Sequence, residues 1–144
     1  MAYWIYKCNS RNGNHQRHYG AWSEFFRLAV EHDPLRWGTT EVVQELDQLA
    51  VNDTILAHQT DQNELVGIAR VAEMRACGPF VEVMLSPVER IGAKVRPLKL
   101  ADERIASIGA LKAGPIKTLY KLSAAEANRL IRAARKSVSA RTSR

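Results

Sequence analysis

The stretch from Asp53 to Val71 limits the folds open to this chain more than any other, because it reads as two strands joined by a polar turn. Thr54, Leu56 and His58 alternate with Ile55, Ala57 and Gln59, Asp61-Gln62-Asn63 interrupts, and a second apolar run begins at Leu65. Period two on both sides of a turn predicts a hairpin. In the second run Leu65, Gly67, Ala69 and Val71 would share one face. The small Gly67/Ala69 pair on that face leaves room for a close neighbour, either another strand or a ligand.

The 144 residues make about one domain, and a domain of that size buries roughly two thirds of the surface its unfolded chain exposes. With 46% hydrophobic and 25% charged residues the composition is that of an ordinary globule, which argues against disorder. No apolar run approaches the ~20 residues of a membrane span, so no membrane partner is expected. The opening Met-Ala-Tyr-Trp-Ile-Tyr-Lys has no basic leader ahead of an apolar core and reads as a strand, not a signal peptide. Cys8 and Cys77 are too few for a disulfide framework and lack the spacing of a zinc site; a reducing, cytoplasmic setting is the expectation.

The net charge of +6 is concentrated at one end. Arg129, Arg132, Arg135, Lys136, Arg141 and Arg144 stand in a segment with no acid, which leaves residues 1–128 neutral. Such a cluster suits salt-sensitive contact with phosphates, each of which releases counterions when neutralised. It equally suits a solvated helix face running into a frayed terminus.

Residues Ala2 to Cys8 are apolar on both faces, as in an interior strand. Residues 9–20 form a polar loop rich in Asn and Gly, of a length associated with function or flexibility. A short helix is predicted between Ala21 and Val30, with Trp22, Phe25, Phe26 and Ala29 at helical spacing and Asp33-Pro34 as its break. Thr39 or Thr40 would cap a second helix carrying Val42, Val43, Leu46, Leu49 and Ala50. Phe80 to Ile91 holds another strand, ending at Ser86-Pro87 or continuing irregularly past it, and residues 96–100 suit a short strand or a linker. A third helix would carry Ala101, Ile105 and Ile108 and stop at Gly109. In the last helix Ser123 and Glu126 form a capping box, Ala127, Leu130, Ile131 and Ala134 face inward, and the arginines face out. There is no repeat and no convincing linker. The expectation is one α+β domain over residues 1–136, a small, partly closed mixed β-barrel with flanking short helices, followed by a basic tail over 137–144.

Eight of the ten aromatic residues lie in the first 37 positions. Aromatic faces stack on nucleobases, so two of them converging on a pocket would suit an extruded or unpaired base. Trp22, after the polar loop, and Trp37, after the proline break, are the candidates, since exposure is expected at both; Tyr3, Phe25 and Phe26 are assigned to the core. The base edge would be read by strand-end groups, Asn9 and Ser10 after the first strand and Gln59 and Thr60 after the third. The same four residues also suit plain turns. His15 and His18 lack a third ligand nearby, and neither a phosphate-binding glycine loop nor a Gly-x-Ser-x-Gly elbow occurs, so no cofactor or metal is expected. Lys7 and Ser10, with Glu73 or Glu82, could form a hydroxyl nucleophile with a lysine base, a combination of low specificity.

Several of these segments, in order, resemble the EVE domain, a PUA-like family related to YTH and ASCH domains. They are Tyr3-Trp4-Ile5-Tyr6-Lys7 leading into Asn9-Ser10, Trp37-Gly38, residues 52–60, Leu65-Val-Gly-Ile-Ala-Arg-Val71 and Leu122-Ser123-Ala-Ala-Glu126. The resemblance implies a small barrel whose pocket accepts a modified base, such as a methylated or hydroxymethylated cytosine in DNA or a methylated base in RNA. The pocket would draw on Asn9, Ser10, Trp22, Trp37, Gln59 and Thr60, with Arg129, Arg132, Arg135 and Lys136 on phosphates. Many relatives carry an acidic residue and a proline where this chain has Asn9-Ser10. The expected function is a non-enzymatic reader, with a restriction or RNA-processing protein as partner. An ASCH-like amidohydrolase acting on an acylated cytidine and a general RNA-binding accessory domain are the rivals.

Overall fold

The computed structural model describes residues 1–8, 21–62, 64–94 and 118–142. Its first strand, β1 (Tyr3–Cys8), is buried from Trp4 onward, as a run apolar on both faces requires. Parallel to it lies β3 (Thr54–Gln59), with Cys8 opposite Gln59 at the carboxyl ends. The expected hairpin then follows: β3 pairs antiparallel with β4 (Glu64–Cys77). β4 turns at Gly78 into β5 (Phe80–Lys94), whose outer side takes β2 (Leu35–Thr39). On the far side β6 (Leu119–Leu122) pairs with β1. The strand order is β2-β5-β4-β3-β1-β6. Among the described residues this is a mixed, open sheet with β2 and β6 at its edges, in an α+β fold.

Alternation along β1 gives the sheet two different faces. Trp4, Tyr6 and Cys8 point to the side covered by α1 (Trp22–Leu28) and by the 3₁₀ helix Gln44–Gln48, in a core dominated by aromatic rings. Ile5 points to the other side, where α2 (Ala124–Thr142) lays down Ala127, Leu130, Ile131 and Ala134 in an aliphatic core. The inward stripe of α2 is the one its spacing predicts, and the helix continues through residues 137–142. Among the described residues, no helix is long and apolar enough to cross a membrane.

Three local features depart from expectation. The helix predicted after Thr39 is only a 3₁₀ helix, because Trp37 and its neighbours are drawn into β2 by pairing with β5. Gly38 permits this: a Cβ there would meet Leu46 Cδ1 at 2.5 Å. Strand β4 runs six residues beyond Val71, whereas β5 takes the second of its two expected courses, passing irregularly through Pro87 to Lys94 on bulges that absorb the missing donor. Leu65 does not share a face with Ala69 and Val71. A bulge between Leu65 and Gly67 puts Leu65 in the aliphatic core and Val66, Ala69 and Val71 in the aromatic one. Gly67 is small for a packing reason, since a Cβ would meet Phe26 Cζ at 2.5 Å and the Glu89 carbonyl closer still. The strand or linker at 96–100 and the helix at 101–109 lie outside the described residues.

Candidate functional site

The carboxyl ends of β1 and β3, the sheet's parallel neighbours, are where the sequence places its pocket. A crevice outside the carboxyl ends of parallel strands is the usual ligand position in open sheets with helices. Thr60 closes the two ends together: its N–H and its hydroxyl both donate to the Cys8 carbonyl, at 2.9 and 3.1 Å. Asn9 and Ser10, the next residues along, lie outside the described residues, as do His15 and His18.

Gln59 links these strand ends to α1. Its Oε1 accepts from the Trp22 backbone N–H at 2.8 Å, satisfying a donor that the first turn of a helix leaves open. Its Nε2 donates to Asp61 Oδ1 at 2.7 Å. As placed, the amide fixes the start of α1 and the β3–β4 turn. Thr60 keeps acceptor capacity on a half-buried hydroxyl, which is what a rim residue needs.

The two candidate tryptophans do meet, but neither is exposed. Trp22 and Trp37 lie with ring centroids 5.3 Å apart and planes tilted by 35°. Both touch Phe25, and Tyr6 stands edge-on to Trp22 at 5.1 Å. Trp22 is 0% and Trp37 3% exposed. Trp22 Nε1 donates to the Tyr6 carbonyl at 3.0 Å, and the Tyr6 hydroxyl donates to the Trp37 carbonyl at 3.1 Å. Phe25 and Phe26 are core, as expected, and Tyr3 is partly buried beside α2. The proline break misled the sequence-based placement of Trp37, because the residue after it enters a strand instead of a loop.

Beneath the rings, burial pushes the Cys8 thiol far above its ordinary pKa, a hydrogen bond with Trp37 counters part of that, and the Asp61 carboxylate adds to the rise. Cys8 is therefore a neutral thiol and an inert neighbour. Among the described residues no three His, Cys, Asp or Glu side chains group as metal ligands.

Lys7 stands on the opposite, α2-facing side of β1, buried, with Nζ 4.7 Å from the Tyr120 ring centroid. The glutamates considered with it are elsewhere. Glu73 pairs with Arg75 and Glu82 with Arg36, both at 3.0 Å, near the tip of the β4–β5 hairpin. At the rise of a strand, Glu73 lies roughly 25 Å along β4 from Leu65, the residue level with His58 and Lys7. Neither Glu73 nor Glu82 therefore stands beside Lys7.

The basic residues of α2 also lie across the sheet from the rings. Arg132, Arg135 and Lys136 are exposed and Arg129 is half-buried. Arg135 is committed to Glu89 on β5, its Nε donating to both carboxylate oxygens at 3.0 and 2.9 Å. That contact holds the Glu89 carboxyl below its usual range and raises the guanidinium.

Comparison with known proteins identifies the fold and leaves the activity open. No protein-family model matches the chain, and no curated protein is significantly similar to it. Among solved structures it is similar to Rpa0253 from Rhodopseudomonas palustris, at 17% identity and a TM-score of 0.67 over 93% of each chain. A hypothetical protein from Leishmania major has 14% identity and a TM-score of 0.66 over 94% of this chain and 96% of that one. The YTH domain of Zygosaccharomyces rouxii MRB1, solved with N6-methyladenosine RNA, overlaps less well, with 13% identity and a TM-score of 0.49 over 94% of this chain and 87% of that one. At that level the likeness carries no weight in the functional argument.

Proposed function

We propose that this protein is a nucleic-acid reader that takes a modified base at the carboxyl ends of β1 and β3, against the Trp22/Trp37 cluster. The observation that carries this reading is the convergence of Trp22, Trp37, Gln59 and Thr60, from β2, the end of β3 and the start of α1, near the carboxyl end of β3. The ordered resemblance to EVE domains supports it. Asn9 and Ser10, next in the sequence after β1, are the further residues the resemblance would add.

The geometry constrains how a base would bind. A ring sandwiched between two others needs about 7 Å between them, twice the contact distance of carbon atoms. The indoles are 5.3 Å apart and buried, so a base displaces what covers one of them or parts the pair. In either case an indole changes environment, and tryptophan fluorescence reports it. Stacking contributes about 1–3 kcal/mol per base. The α2 cations, on the far face, hold phosphates of a flanking segment. The ligand is DNA or RNA, and the protein serves a restriction or RNA-processing partner that acts on what it finds.

Titration of the protein with single-stranded oligonucleotides bearing cytosine, 5-methylcytosine, 5-hydroxymethylcytosine, adenine or N6-methyladenine is the test. At least one modified base is expected to bind about tenfold or more tightly than its parent, since a methyl group in an apolar pocket is worth about 1–3 kcal/mol, and to change the indole emission. Equal affinity for every oligonucleotide, abolished by salt and silent in fluorescence, would leave a general nucleic-acid-binding domain and sink the pocket.

A further inference from the structure

The β4–β5 hairpin outruns the rest of the sheet. β3 stops pairing with β4 at Arg70, while β4 continues to Cys77. Over Ala72–Cys77, β5 lies on one side of β4, and among the described residues no strand lies on the other. Arg75, Ala76 and Cys77 are exposed. An open edge presents backbone donors and acceptors to any strand that fits.

Which groups face outward follows from the bonds on either side. Val81 bonds β2's continuation through Thr40, by its carbonyl at 2.9 Å and by its N–H at 2.8 Å, so the odd residues of this part of β5 turn away from β4. Val83 and Ala76's partner Val81 therefore do not bond β4, and Met74 and Ala76, opposite them, turn their own N–H and C=O to the open side. Glu73, opposite Met84, turns inward. The side chains alternate too. Met74 packs on the aromatic core, while Glu73 and Arg75 share the other face, where they pair at 3.0 Å with about half of each side chain exposed.

This segment is complementary to itself. In an antiparallel pairing about a two-fold axis through Met74, the outward groups of Met74 exchange bonds with their mates, and Glu73 of each copy stands opposite Arg75 of the other. An axis at Glu73 or at Arg75 would set like charges face to face, and one at Ala76 would bring Pro79, which has no donor, opposite Glu73. Edge strands are commonly guarded by charge; here the two charges are opposite in sign and symmetrically placed, so they select a partner instead of repelling all. We infer that the open edge of β4, Ala72–Ala76, is a self-association surface whose occupant is the same edge of a second copy, in the register centred on Met74. The contact is short, which makes it a weak, concentration-dependent dimer and not an obligate one.

Sedimentation velocity on the full chain from micromolar to millimolar concentration tests the inference. The wild type is expected to pass from monomer to dimer. Glu73→Arg and Arg75→Glu should each weaken the dimer by about tenfold, because each sets two like-charged pairs opposite one another, and the double exchange Glu73→Arg/Arg75→Glu should restore it. A residue pair that bonds across antiparallel strands has Cα atoms about 5.5 Å apart, within reach of a disulfide. Met74→Cys in a Cys77→Ser background should then give a covalent dimer with oxidised glutathione, and Arg75→Cys in that background should not. A protein monomeric throughout, a dimer indifferent to both charge reversals, or a double exchange that fails to restore association would overturn it.

Discussion

Asp53 shows how one side chain can tie a fold together. Its Oδ1 accepts from the Ala2 N–H at 2.9 Å, and its Oδ2 accepts from Trp4 Nε1 at 2.9 Å and from the Ala50 N–H at 3.0 Å, with 3% of the residue exposed. The start of β1, an indole of the aromatic core and the turn before β3 thus share one carboxylate. Asn at this position keeps the shape but replaces an acceptor oxygen with a donor facing donors. Asp53→Asn is expected to cost about 2 kcal/mol or more, since charged hydrogen bonds are lost and buried N–H groups are left unmet. Chemical denaturation with the same m-value and a lower midpoint is the check. The sequence shows Asp53 only as the opening of a strand, because its partners Trp4 and Ala2 are 49 and 51 positions away. Gln59 is a similar case. Its position at a strand end is legible, whereas its bond to the Trp22 amide, 37 positions off, depends on the completed fold.

At the scale of elements, whatever is set by local periodicity was legible. The β3–β4 hairpin, the helix around Trp22–Phe26 and the capped last helix all occur. Strand β2 was not, because five residues, Leu-Arg-Trp-Gly-Thr, carry no clear alternation and become a strand only by pairing with β5. Strand β6 is shorter still and is held by β1. The bulges in β4 and β5 also hide from a period-two reading, since each inserted residue reverses which face the following side chains take. The candidate site inherits these limits: the sequence brought Trp22 and Thr60 to one end of the sheet, but the burial of Trp37 follows from a strand it did not show. For the last helix the local chemistry is complete. Ser123 Oγ accepts from the Glu126 N–H at 3.1 Å, and Glu126 Oε1 accepts from the Ser123 N–H at 2.9 Å. Ser123→Ala should cost about 1 kcal/mol and lower Tm by roughly 3 °C in a calorimetric scan, without changing the helical content of the native state.

For the whole molecule, the decisive fact is that the sheet separates the two regions proposed to touch nucleic acid. The aromatic cluster lies on the α1 side and the basic face of α2 on the other, with β1 and β3 between them. A cation that touched the same nucleotide as the pocket would alter discrimination between bases; one that grips a flanking phosphate across the sheet cannot. Arg135 is further restrained by Glu89, which, of the four phosphate candidates, leaves Arg129, Arg132 and Lys136 to turn toward a backbone. Replacing these three with Ala is therefore expected to weaken binding to every oligonucleotide alike. The slope of log affinity against log salt should shrink by about 2, since each single-strand phosphate contact contributes about 0.7. The ratio of affinities for a modified base and its parent should stay within about twofold of wild type, because sites without shared partners act additively. Competition titrations across a salt series measure both quantities at once. A ratio that collapses with the triple replacement would mean that the phosphates and the base are held together on one face, against the two-sided arrangement of this sheet.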